Sequence, residues 1–189
     1  MEDSIAKALA TISPELPPIH PSKVSSTDRW TAWDSFLEAQ PGTGFMQSSW
    51  WADFRANVGY EHFAIILRHC GVILGGALVQ KFSFEPESCF YYIQDGPVLP
   101  QDESDAAEVF AAILQGVEDH RQTETQTVSH LRIEPRWQRL PNFVSGFRPA
   151  VRDSYFEPRT TLCVDLCPSE QEILAQMKPK GRYNIRVAQ

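Results

Sequence analysis

The apolar positions of this chain change period twice. Trp30, Trp33, Phe36 and Leu37 recur three and four residues apart, which predicts a helix with one apolar face behind an N-cap at Ser26-Thr27-Asp28. Pro41-Gly42-Thr43-Gly44 ends it. A second helix is predicted from Ser48 or Ser49 to Asn57, closed by Gly59. The period then becomes that of strands. His62 to Arg68 and Val72 to Phe84 are rich in Ile, Val, Leu, Phe and Ala, and Cys70-Gly71 between them reads as a hairpin turn. Phe90 to Gln94 is a third strand, stopped by Asp95-Gly96-Pro97.

Helical spacing returns from Asp102 to His120, where Ala106, Val109, Phe110, Ile113, Leu114 and Val117 form one stripe. His130 to Ile133 is a strand ended by Glu134-Pro135, and Thr161 to Leu166 another. Ser169-Glu170-Gln171-Glu172 is a capping box that opens a last helix. Hairpin strands followed by a crossover helix and a further strand imply an α/β mixed sheet with helices on its faces. Residues 1–25 are rich in Pro and Ser, lack periodicity and read as a flexible arm. The final Arg186-Val187-Ala188-Gln189 carries no helix stop signal and reads as a truncation.

Composition narrows the class. At 189 residues, 42% hydrophobic and 22% charged, the chain has the make-up of a soluble globular protein able to bury a core without disulfides. It contains no apolar run approaching ~18 residues and no basic-then-apolar leader, so a cytoplasmic location is expected. The four cysteines agree: Cys163 and Cys167 are spaced C-x-x-x-C without a second pair or a histidine cluster, which argues for buried reduced thiols over a zinc site. The net charge is −7, but Lys178, Lys180, Arg182 and Arg186 crowd the last twelve residues without an acid, which leaves −11 on the rest. An acidic body excludes broad nucleic-acid binding, whereas a local basic cluster can hold a phosphate or the end of a tRNA.

Five strings, in order, carry a resemblance. They are Gly44-Phe45-Met46-Gln47-Ser48-Ser49-Trp50-Trp51-Ala52, Tyr92-Ile93-Gln94-Asp95-Gly96-Pro97-Val98, Leu131-Arg132-Ile133-Glu134-Pro135, Glu157-Pro158-Arg159-Thr160-Thr161 running into Val164-Asp165-Leu166, and Met177-Lys178-Pro179-Lys180-Gly181-Arg182-Tyr183-Asn184-Ile185-Arg186. Together they resemble the N-terminal half of Fem-type aminoacyltransferases, the enzymes that build peptidoglycan interpeptide bridges. The resemblance implies an α/β, GNAT-like mixed sheet flanked by helices, the first of two tandem GNAT-like domains. It divides the chain into an arm (1–25), a first domain (26–167) and the truncated start of a second (168–189). It also implies transfer of Gly, Ala or Ser from aminoacyl-tRNA to the stem peptide of lipid II or UDP-MurNAc-pentapeptide, without a cofactor, a metal or a covalent enzyme intermediate. A lipid-linked acceptor would bring peripheral contact with the inner membrane face.

Aminolysis of an ester needs a proton acceptor for the amine. Glu134, at a strand end where the family has an acidic residue, is the candidate; pairing with Arg132 or Arg136 is its competing role. For Arg55, the resemblance implies a grip on the acceptor's diphosphate, a task suited to a planar guanidinium; a solvated helix charge is the alternative. Trp50 and Trp51 are adjacent and cannot both face the core. Trp51 is the substrate-side candidate, with packing as its competing role. Tyr92 and Gln94 end a strand and can line a cleft or brace the turn after it; Tyr91 must point to the opposite face. Lys180, Arg182 and Arg186 complete the substrate-binding set, Arg182 and Arg186 sharing a helical face as a phosphate clamp. The five histidines and the serines show no triad spacing.

Two other readings stand beside this one. An acyl-CoA-dependent N-acyltransferase would share the fold, but its Gly-rich pyrophosphate turn opening a helix is missing: Leu74-Gly75-Gly76-Ala77 lies within a strand. A non-catalytic GNAT-like module is the other, since in the family the cleft involves both domains.

Overall fold

The structure, a computed structural model, describes residues 27–149 and 163–188. The arm read over residues 1–25 and the Ser26 cap lie outside them. The chain divides into two compact units, Met1–Phe147 and Arg148–Gln189.

In the first unit, α1 (Thr27–Glu38), a 3₁₀ turn (Phe45–Gln47) and α2 (Ser49–Asn57) precede strands β1 (Glu61–His69), β2 (Val72–Glu85) and β3 (Ser88–Gln94); α3 (Glu103–Thr123) and β4 (Thr127–Glu134) follow. The strands form one sheet in the order β1-β2-β3-β4. The first three run antiparallel, and β4 lies parallel to β3. That parallel pair is what α3 makes possible, since parallel neighbours need a crossover longer than a hairpin. The architecture is the α/β mixed sheet flanked by helices expected from the sequence.

Local chemistry explains the elements. Cys70 and Gly71 both take positive φ, 48° and 81°, the conformation a two-residue hairpin turn requires. The Asp102 side chain accepts from the N–H groups of Ser104 (2.9 Å) and Asp105 (3.1 Å), capping α3. Glu103 and Asp105 in its first turn, with His120 and Arg121 in its last, match the helix dipole.

Strand alternation sorts the core into two layers. Phe63, Ile65, Leu67, Ala77, Val79, Cys89, Tyr91 and Ile93 face Val109, Ile113 and Val117 of α3. Ala64, Ile66 and Leu78 face Trp30, Trp33 and Leu37 of α1 and Ala52 of α2. With both faces covered, β1 is buried from His62 to Leu67, which accounts for its unbroken apolar run.

On the α3 face Lys81, only 8% exposed, sits between Glu61 (3.2 Å) and Glu124 (3.0 Å, 9% exposed). The Tyr91 hydroxyl donates to the other oxygen of Glu124 at 3.4 Å. Burial draws the Lys81 ammonium down, but hydrogen bonds and charge from Glu124 and Glu61 raise it above its ordinary value. Burial likewise lifts the Glu124 carboxyl, but Lys81 and the N–H groups of Gln126 and Thr125 bring it below its ordinary value.

The second unit departs from the sequence reading at three points. Cys163–Leu166 is exposed and forms no strand, while Thr161 and Leu162 lie outside the described residues. Asp165 Oδ1 instead accepts from the Cys167 N–H at 3.0 Å, a local turn that competes with extended pairing. Cys163 and Cys167 are exposed free thiols rather than buried ones: no strand carries them into a core. The last helix is two helices, α4 (Glu170–Gln176) and α5 (Pro179–Ala188). Met177 leaves the helical region (φ −75°, ψ 150°). Pro179 disfavours helical geometry at Lys178 and supplies a fixed first residue for α5. The predicted capping box is present, with Ser169 and Glu172 bonded reciprocally.

The buried pair sets a stability test. Lys81→Met leaves two carboxylates uncompensated and is expected to cost about 3–5 kcal/mol in urea melts. The Glu124 contribution is present above its unfolded value and is lost as pH falls through the lowered folded value. The Lys81 contribution is present below its unfolded value and is lost as pH rises through the raised folded value. The difference between wild type and variant is therefore widest near neutral pH and narrows in acid, as Glu124 takes up a proton, and in strong base, as Lys81 loses one.

Candidate functional site

The site lies where β3 and β4 end together. In their parallel register Tyr92 pairs with Arg132 and Gln94 with Glu134, so alternation puts all four on the face that α1 and α2 cover. The Tyr92 hydroxyl donates to Glu134 Oε2 at 3.0 Å. Arg132 donates to Glu134 Oε1 through Nε at 2.7 Å and through Nη2. Both oxygens of Glu134 accept, which fixes the direction of its charge.

Against these strands, α2 supplies Trp51 and Arg55. Its first turn is capped by Ser48, whose hydroxyl accepts from the Trp51 N–H at 3.3 Å, and Asp34 holds the Ser49 N–H at 2.9 Å. Trp51 Nε1 donates to Gln94 Oε1 at 3.2 Å, so the ring packs and also reaches the strand end. The Arg55 guanidinium lies 3.5 Å from the Tyr60 ring centroid and 5.3 Å from that of Phe82, a cation–π seat. It makes no ion pair among the described residues, and its buried Nε has no hydrogen-bond partner. A guanidinium so held is suited to an arriving anion.

One residue to which the sequence reading gave no role organises this region. Gln47 is fully buried; its Nε2 donates to Gln94 O (2.5 Å) and Leu78 O (3.4 Å), and its Oε1 accepts from Leu78 N (2.8 Å). Trp33 Nε1 donates to the Gln47 carbonyl at 2.7 Å. The only hint in the sequence was an amide set between Phe45-Met46 and a helix cap. Gly96 is small for the same reason: a Cβ there would meet the Gln47 amide at 2.6 Å. Next to it Asp95 holds φ 56°; burial raises its carboxyl above the ordinary range and Arg136, 3.9 Å away, lowers it less.

Glu134, Tyr92, Gln94, Trp51 and Arg55 are thus brought onto one face of one unit. Lys180, Arg182 and Arg186 belong to the second. There Arg182 is turned to its own backbone, donating to the carbonyls of Leu174 (3.5 Å), Ala175 (3.4 Å) and Met177. Arg186 Nε donates to Arg182 O at 3.4 Å, and Lys180 is exposed. On the opposite face of the sheet, a polar hollow of about 270 Å³ is lined by Glu61, His62, Lys81, His120 and Glu124 among others. Its charges are those of the buried pair.

No family model matches the chain. It is similar to the lipid II:glycine glycyltransferase of Staphylococcus epidermidis, in two strains, with 21% identity over 163 residues, 82% of this chain. The resemblance to Fem-type aminoacyltransferases is borne out. The chain spans 39% of the length of these curated relatives. Among solved structures it is similar to FemX (20% identity, TM-score 0.46, 59% of this chain and 25% of that one) and to an acetyltransferase of Trypanosoma brucei (20%, 0.44, 76% and 99%).

Gln47→Leu keeps the side-chain size but strands the Leu78 N–H and the Gln94 carbonyl in the interior. The expected loss is about 3 kcal/mol in chemical denaturation, with Trp51 fluorescence changing as its Gln94 partner shifts.

Proposed function

We propose that the protein containing this chain transfers an aminoacyl group from aminoacyl-tRNA to an amine on the stem peptide of a peptidoglycan precursor. The observation that carries the reading is the similarity, over 82% of the chain, to proteins named lipid II:glycine glycyltransferase. The geometry of the β3–β4 end supports it. The attacking amine forms a bond to the ester carbonyl carbon, and the bond to the ribose oxygen breaks. An amide and a free ribose hydroxyl result. The amine's proton passes to Glu134 Oε2 and is returned to the leaving oxygen, so no redox partner or cofactor is needed. Arg132 and Tyr92 orient that carboxylate. Arg55, stacked on Tyr60, holds the acceptor's diphosphate, and Trp51 with Gln94 walls the cleft. Use of aminoacyl-tRNA places the reaction in the cytoplasm, and a lipid-linked acceptor brings it to the inner membrane face. No helix among the described residues is long and apolar enough to cross a membrane.

A transfer assay on the full-length protein, with labelled Gly-, Ala- and Ser-tRNA and lipid-linked or UDP-linked acceptors, tests this. One donor–acceptor pair is expected to react. Glu134→Gln is expected to lower kcat about 100-fold or more, and Arg55→Ala to raise the acceptor KM about tenfold. Acetyl transfer from acetyl-CoA, with no reaction from any aminoacyl-tRNA, would contradict the reading.

A further inference from the structure

The outer side of α2 exposes an aromatic cluster that the site does not use. Trp50 is 62% exposed and Phe54 46%, and Phe45 from the preceding turn is 55% exposed. Trp50 stacks on Phe54 (centroids 6.0 Å, 14°) and meets Phe45 at 5.9 Å. Both phenylalanines touch Trp51 at 5.3 Å. The rings therefore form one continuous surface that ends at Trp51. Val58 extends it at the end of the helix. Packing does not require these rings at the surface, since α2 meets the core through Ala52.

From this surface we infer that α2 seats the protein on the interfacial layer of a lipid bilayer, with Phe45, Trp50 and Phe54 entering it. The choice of partner rests on three features. Tryptophan and phenylalanine, rather than aliphatic residues, are the side chains that settle at a lipid–water boundary. Among these rings the one polar group is the Trp50 indole N–H, which suits a surface without fixed hydrogen-bonding partners better than a second protein. Arg55, on the same helix and without an ion pair among the described residues, offers a cation for phosphate. The inference rests on the proposed reading in one respect: a diphosphate tethered to lipid would reach Arg55 from this side. Asp53 on the helix and the net charge of −7 oppose capture by anionic lipid, so the rings must supply the attraction.

Co-sedimentation of the full-length protein with phosphatidylcholine vesicles, and with vesicles also containing phosphatidylglycerol, reads this directly. Binding is expected to both, and to change little with salt. Trp50→Gln with Phe54→Gln is expected to weaken it about tenfold or more. Each single variant should weaken it less, with the circular dichroism and melting curve of wild type. Phe84→Gln removes an equally exposed ring (56%) at the far end of β2 and should leave binding unchanged. Absence of binding, binding only to anionic vesicles that salt abolishes, or an equal loss from Phe84→Gln would overturn the inference. The vesicles carry no acceptor. Vesicle capture by a protein that fails every transfer assay would therefore sink only the reading of the cleft. Transfer to a UDP-linked acceptor without vesicle capture would sink only the membrane surface.

Discussion

The first unit depends on one side-chain amide. The β2–β3 ladder stops at Gln80 and Tyr92, and beyond that pair the strands no longer exchange backbone hydrogen bonds directly. Gln47 closes the gap, giving the Leu78 N–H the acceptor and the Gln94 carbonyl the donor that a neighbouring strand would have given. A glutamine can do this because its amide carries the groups of a peptide unit. Buried and fully engaged, it ties the turn before α2 to the sheet, while Trp33 ties the same turn to α1. The contact of Trp51 with Gln94 follows from that junction.

Charge is handled differently on the two faces of the sheet. On the α3 face Lys81 is enclosed by two carboxylates, an arrangement that serves stability. On the α2 face Glu134 is oriented by Arg132 and Tyr92 at a strand end, and Arg55 rests on aromatic rings without an ion pair among the described residues. In the proposed reaction the oriented carboxylate would take the amine's proton and the cation would meet the acceptor's phosphate.

Much of the fold was legible because it follows local rules. The Trp30–Leu37 stripe, the Cys70-Gly71 turn and the Ser169 capping box each act within a few residues, and each appears where the sequence indicates. The strand predicted through Cys163–Leu166 failed because a short apolar alternation does not specify a pairing partner, and the Asp165 turn was the stronger local preference. The split of the last helix follows from Pro179, which disfavours helical geometry at Lys178. In the site, Glu134 could be named from its strand-end position, as could its competing pairing with Arg132. The part of Gln47 could not, because it bonds to residues 31 and 47 positions away. Nor could the turning of Arg182 onto the carbonyls of α4, which depends on how two short helices meet.

The most direct test of where the chemistry sits is photo-crosslinking of the full-length protein with an acceptor that carries a photoreactive group at the stem-peptide amine, followed by mapping of the labelled peptides. Label is expected on α2 around Trp51 and Arg55 and on the strand ends around Gln94 and Glu134. Label concentrated instead around Glu61, Lys81 and Glu124 would put the acceptor on the opposite face of the sheet and contradict the account.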